Sequence, residues 1–98
     1  MAKGYLIARV KVTDPEQYAK YRSVSGDAIG AFDGKFIVRA GRSEVVEGEP
    51  DGLRLVVAEF PSYEAALECY HSDVYQAAKK LRDGAGEAQF TIIEGYDP

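Results

Sequence analysis

The run EFPSYEAALECYHSDVYQ, residues 59–76, holds a strand end and two helix starts within eighteen residues. Pro61 removes a backbone donor and stops the strand, and Ser62 is a good N-cap for a helix over Tyr63 to Tyr70. Ala66, Leu67 and Tyr70 fall on that helix's buried side. His71-Ser72-Asp73 then interrupts, and Ser72 or Asp73 caps a further helix through VYQAAKKLRD. Upstream, LRLVVAEF, residues 53–60, is filled with apolar and β-branched residues and reads as a central strand. Leu55, Val57 and Glu59 share one of its faces, and Val56, Ala58 and Phe60 the other.

The same patterns extend outward. In YLIARVKV, residues 5–12, Leu6, Ala8, Val10 and Val12 alternate with Tyr5, Ile7, Arg9 and Lys11, which predicts a first strand. Asp14-Pro15 is an N-cap with proline at the first helical position, and Gln17 completes a loose capping box. An apolar stripe through Tyr18, Tyr21, Ser25, Ala28, Ile29 and Phe32 carries that helix to about Phe32, before Asp33-Gly34. KFIVRA, residues 35–40, predicts strand two, with SEVVEG continuing or restarting it and Gly41 marking a bulge. GEPDG at 48–52 is a turn, and AQFTIIEG, residues 88–95, is the last strand. Strand, helix, strand, strand, helix, strand is the α+β, ferredoxin-like βαββαβ plan: a four-stranded antiparallel sheet with its helices on one face.

Composition sets the class. The 98 residues, 46% of them hydrophobic, make a single domain over 1–98. A domain this small buries a modest share of its surface, so self-association would add useful burial. Sixteen Asp and Glu oppose twelve Lys and Arg for a net charge of −4, and no basic run exceeds Lys79-Lys80, so nucleic acid is not an expected partner. The strand RLVVAEF also lacks the open-face aromatics with which RNA-recognition modules stack bases. One cysteine, Cys69, makes neither an intramolecular disulfide nor a metal site, which fits a reducing compartment such as the cytoplasm. The first apolar run is interrupted by Arg9 and Lys11, and no stretch approaches the length of a membrane span.

Several blocks, in order, carry a resemblance: YLIARVKVTDPEQYAKY, GKFIVRAG, and EFPSYEAALECYHSDVYQ followed by LR. Over nearly the whole chain they resemble the DUF1330 family of small bacterial proteins. The resemblance implies a dimeric α+β barrel, two four-stranded sheets packed face to face, and supplies no activity. The family's R-G-G after strand two corresponds to Arg39-Ala40-Gly41. Its W-Y-x-S-x-x-Y corresponds to Cys69-Tyr70-His71-Ser72-Asp73-Val74-Tyr75, with Cys69 in place of the aromatic ring.

Two readings of the chemistry stay open. In the first, Arg39, Tyr70, His71, Ser72 and Tyr75 bound a pocket for a small organic acid or an aromatic metabolite. Arg39 pairs with the anionic group, His71 is the candidate base, and the hydroxyls orient the ligand. Similar barrels include cofactor-free monooxygenases and isomerases, so no cofactor and no metal are expected. In the second, the domain binds or senses a ligand without turning it over, as the amino-acid-binding ACT modules do. A helix corner, with Ser72 as cap and Tyr70 in the core, accounts for the same residues without any ligand. Strict alternation puts Arg39 and Glu59 on one apolar face with Ile37, Leu55 and Val57, where they would bind each other, a charged ligand or the rim of a dimer. Tyr5, Tyr18, Tyr21, Tyr63 and Phe32 are candidates to line a cavity. The open face with Ile7, Ile37, Leu55, Val57 and Ile93 predicts a homodimer.

Overall fold

A computed structural model describes residues 2–97. Its elements are β1 (Gly4–Val12), α1 (Pro15–Gly30), β2 (Lys35–Arg39), β3 (Arg54–Phe60), α2 (Tyr63–His71), α3 (Asp73–Lys80) and β4 (Gly86–Glu94). The strands form one antiparallel sheet in the order β2-β3-β1-β4, the ferredoxin-like arrangement, with β3 and β1 inside.

Local chemistry starts each helix where expected. The Asp14 carboxylate accepts from the Gln17 amide at 3.2 Å, and Pro15 occupies the first turn, where a missing amide hydrogen costs nothing. Ser62 accepts from Ala65 N at 3.0 Å to begin α2. Ser72 both closes α2 and opens α3: its hydroxyl donates to the Cys69 carbonyl at 2.6 Å and accepts from Tyr75 N at 3.2 Å. Helix α1 stops at Gly30, two residues before Phe32, because the chain turns through Asp33 at φ 61° and Gly34 N returns to the Ile29 carbonyl at 3.0 Å.

Leu6, Ala8 and Val10 of β1 and Ala58 and Phe60 of β3 form the buried sheet face. Tyr21, Ala28 and Ile29 of α1, Ala66 and Cys69 of α2, and Tyr75 and Ala78 of α3 pack onto it. Among the described residues, no helix and no second sheet covers the opposite sheet face. The molecule measures 37 × 36 × 17 Å, the thickness of one helix layer on one sheet, and leaves Leu55 and Ile93 40% and 50% exposed.

Two expectations on β2 are corrected. The bulge lies between Phe36 and Val38, at Ile37, and not at Gly41. Phe36 pairs with Ala58 on the helix side, Val38 with Val57 on the open side, and Arg39 with Val56 on the helix side again. The extra residue inverts the alternation, so Arg39 and Glu59 do not share a face, and Val38 sits opposite Val57 on the open face. The second correction is SEVVEG: residues 43–48 form no strand, because no neighbouring strand offers them a ladder.

Candidate functional site

Between α1 and the helix-side face of β1, β2 and β3 lies a cavity of about 50 Å³. Its floor is apolar: Leu6, Ala8 and Val10 from β1, Val56 from β3 and Phe90 from β4. Two kinds of polar group break that lining. Arg22, Arg39 and Arg54, all exposed, stand at the mouth, and Arg22 and Arg39 also line an adjoining open hollow with Ala19 and Ser23. The buried residues Tyr21, Ser25 and Tyr75 form the inner polar wall.

The mouth is built by the bulge. Because Arg39 returns to the helix side, its guanidinium lies 4.3 Å from the centroid of the Phe36 ring and donates to the Arg22 carbonyl at 3.2 Å. Its remaining donors form part of a planar fork that matches a carboxylate.

The inner wall joins α1, which carries Tyr21 and Ser25, to α3, which carries Tyr75, 54 residues from Tyr21. The Tyr21 and Tyr75 hydroxyls meet at 2.7 Å, with their rings edge to face and centroids 6.3 Å apart. Behind them, the Arg82 guanidinium sits 5.2 Å from the Tyr21 ring centroid and 4.4 Å from that of Phe90. Its Nε is buried and has no hydrogen-bond partner among the described residues. Burial pushes the Tyr21 phenol pKa up, reinforced by Tyr75, and burial does the same to Tyr75; the positive charge of Arg82 pulls each part of the way back. Burial alone would lower the Arg82 pKa, but the two phenols more than offset it and hold it above the usual value. The two phenols are therefore protonated donors at neutral pH.

The structure divides the residues singled out in the sequence. Arg39 and Tyr75 line the cavity, as do Tyr18 and Tyr21. Tyr70 and Ser72 lie outside it and hold Tyr75 from behind. The Tyr70 ring packs 5.3 Å from the Tyr75 ring, and Ser72 caps the helix that carries Tyr75. His71 is exposed at the end of α2, touches Tyr70 edge-on at 5.3 Å and is not among the lining residues. Glu59 lies on the opposite sheet face, bridged to Lys3 at 3.2 Å and Lys35 at 3.7 Å. Cys69 is buried against the Ala28 carbonyl, and burial pushes its thiol up to about 11. No cluster of three or more His, Cys, Asp or Glu able to hold a metal ion occurs among the described residues, and no helix there is long and apolar enough to cross a membrane.

Comparison with known proteins supplies family and fold. The family described as "Domain of unknown function (DUF1330)" matches residues 3–96. No curated protein matches the chain. Among solved structures, RPA0582 of Rhodopseudomonas palustris, a protein of unknown function, is 22% identical with a TM-score of 0.77, over 99% of this chain and 85% of that one. A Caulobacter crescentus CB15 protein, provisionally named an antibiotic biosynthesis monooxygenase, is 19% identical with a TM-score of 0.63, over 98% and 92%. A dimeric protein of unknown function and ferredoxin-like fold from Bacteroides fragilis NCTC 9343 is 15% identical with a TM-score of 0.57, over 94% and 95%.

Proposed function

The chain belongs to the DUF1330 family, and from that premise we propose that it binds a small organic acid in the cavity between α1 and the sheet. One observation carries the reading. Sixteen Asp and Glu give the chain its net charge of −4, yet the lining contains none of them and three arginines. An acidic protein that walls one cavity with cations and neutral donors is complementary to an anion there. The volume of about 50 Å³ suits a compact acid of a few carbons and falls short of a fused aromatic ring system.

Binding without turnover is the better-supported form of this reading. A general base must be able to take a proton near neutral pH. The lining has no His, Asp, Glu, Cys or Lys, and its buried tyrosines have pKa values raised above the ordinary phenol value. His71, the base expected from the sequence, lies outside the lining. Titration of the isotopically labelled protein with propionate, pyruvate and benzoate, followed by NMR, tests the proposal. Saturable shifts at the amides of Ser25, Arg39 and Tyr75 are expected for at least one of the two smaller acids, weakened about tenfold by Arg39→Gln and by added salt. Shifts that never saturate, or that Arg39→Gln leaves unchanged, refute it.

A second copy of the chain is proposed to cover the open sheet face. Ile7, Val57, Leu55, Val38 and Ile93 lie on that face, and the last three are at least 40% exposed. Apolar side chains exposed side by side on one sheet face favour burial against a second copy. The B. fragilis relative of like fold is described as dimeric, which supports the same reading.

A further inference from the structure

We infer that the Tyr21–Tyr75 hydroxyl pair is a hydrogen-bond donor site for a carbonyl oxygen, so that the cavity selects oxo acids over saturated acids of the same length. The inference rests on the proposed binding of an organic acid and adds which acid.

The pair itself sets the requirement. At 2.7 Å one hydroxyl donates to the other, and whichever does so, the second hydroxyl's proton is left to find an acceptor elsewhere. Arg82 cannot supply one, since a guanidinium carries donors only. Packed against the Tyr21 and Phe90 rings, it brings donors and no acceptor to this wall. The lining offers no carboxylate; Ser25 and Tyr18 have hydroxyls that can accept, but each brings a proton of its own, so the count of spare donors does not fall. The phenols stay protonated because burial disfavours their anions. An inner wall with a proton to give, facing a cavity whose floor is apolar, is completed by an acceptor that brings no donor with it. A ketone oxygen meets that description, and a methylene or a hydroxyl does not.

The arginines at the mouth then take the carboxylate, so the ligand has an anionic end and a carbonyl further in. How many carbons separate the two is read by using acids with the carbonyl at different positions. Discrimination comes from the wall: a buried donor facing a methylene is left unpaired, which costs affinity that the oxo acid retains.

The test uses matched pairs, pyruvate with propionate and levulinate with valerate, titrated by NMR into the wild-type chain, the single variants Tyr75→Phe and Tyr21→Phe, and the double variant that carries both. In the wild type, at least one oxo acid is expected to bind roughly tenfold more tightly than its saturated partner. Each single variant leaves one hydroxyl with a proton to give and is expected to keep a preference for the oxo acid, whereas the double variant, which removes the donor that the oxo acid satisfies and the saturated acid leaves unpaired, is expected to bring the ratio close to one. All three variants keep the rings that pack the core, and the wild-type ratio tests the inference even if the double variant fails to fold. Equal binding of both members of each pair by the wild type overturns this inference and leaves the anion site standing. A preference that survives in the folded double variant overturns it as well. Failure of every acid to bind overturns the inference and the proposed function together.

Discussion

Phe36 and Arg39 lie three residues apart on β2 and face the same side of the sheet, with the guanidinium 4.3 Å from the ring centroid. A regular strand would send them to opposite faces. The bulge at Ile37 brings them together and with them creates the mouth of the cavity. A double-mutant cycle on Phe36→Leu and Arg39→Gln is therefore expected to return a coupling of about 0.5–1 kcal/mol in urea unfolding. Deletion of Ile37 leaves Phe36, Val38 and Arg39 paired one to one with Ala58, Val57 and Val56, so Arg39 keeps the face of Phe36, and the expected result is a regular strand that retains acid binding. Loss of binding in a folded deletion variant would mean that the bulge itself, and not only the face on which Arg39 lies, shapes the mouth.

That relationship also marks where the sequence stops being readable. The element order, the caps at Asp14 and Ser62, and the faces of β1 and β3 were all legible, because each is encoded within a few neighbouring residues. The bulge was not: it is a register relation to β3, and the isolated Gly41 was a misleading local sign. SEVVEG has the β-branched pair Val45-Val46 but no pairing strand, and propensity alone does not make a strand. Tyr21 was legible as a helix-stripe aromatic. Its meeting with Tyr75, 54 residues away, and the placing of Arg82 behind both are tertiary facts with no local signature.

Ala40 follows the bulge at φ 57°, a conformation in which a Cβ is strained and glycine is not. Ala40→Gly is expected to raise the unfolding free energy by about 0.5–1 kcal/mol. Gly4 predicts the opposite sign: a methyl group there would run into the Ser62 carbonyl and the Tyr63 backbone, neither of which can move without shifting the start of α2. Gly4→Ala should cost about 1–3 kcal/mol. Chemical denaturation of the two variants side by side checks both signs.

Ser72 uses one hydroxyl at two helix ends. Ser72→Ala removes the donor to Cys69 O and the acceptor for Tyr75 N, and a loss of about 1–2 kcal/mol is expected. Ser72→Asp keeps the cap acceptor and loses the donor, so it should recover part of that loss. Because Ser72 lies outside the cavity, acid binding by the folded Ser72→Ala chain should stay within about twofold of wild type, a change of about 0.4 kcal/mol. A larger drop would give Ser72 a direct part in binding.

Alkaline pH should destabilise the fold through its buried acids. Burial raises the Cys69 thiol from 9.0 to about 11, so the folded chain holds a proton that the unfolded chain releases earlier. The stabilisation is complete below about pH 9 and is lost as pH rises to about 11. Tyr21 and Tyr75, raised above 10.0, act with the same sign at the upper end of that window. Urea midpoints are expected to fall steadily from pH 9 to 11, with the thiol accounting for about 2 kcal/mol. Cys69→Ala should show a shallower fall over the same range, and a flat wild-type profile would contradict the burial argument.

The open face gives the last prediction. Val57 lies at the centre of that face, paired with Ile7 on one side and Val38 on the other. A lysine there would set a charge in the middle of the surface that a second copy is proposed to bury, and an unpaired buried charge costs several kcal/mol. The helix-side core, built from Leu6, Ala58, Phe60 and the helices, does not touch that position, so the monomer should keep its fold. Size-exclusion chromatography with light scattering is expected to return twice the 10.7 kDa chain mass for wild type and 10.7 kDa for Val57→Lys, with unchanged far-ultraviolet circular dichroism. Glu59 on the same face is already bridged to Lys3 and Lys35, so Glu59→Gln should weaken the pairing far less than Val57→Lys does. A wild-type chain that runs as a monomer at micromolar concentration would refute self-association over this face.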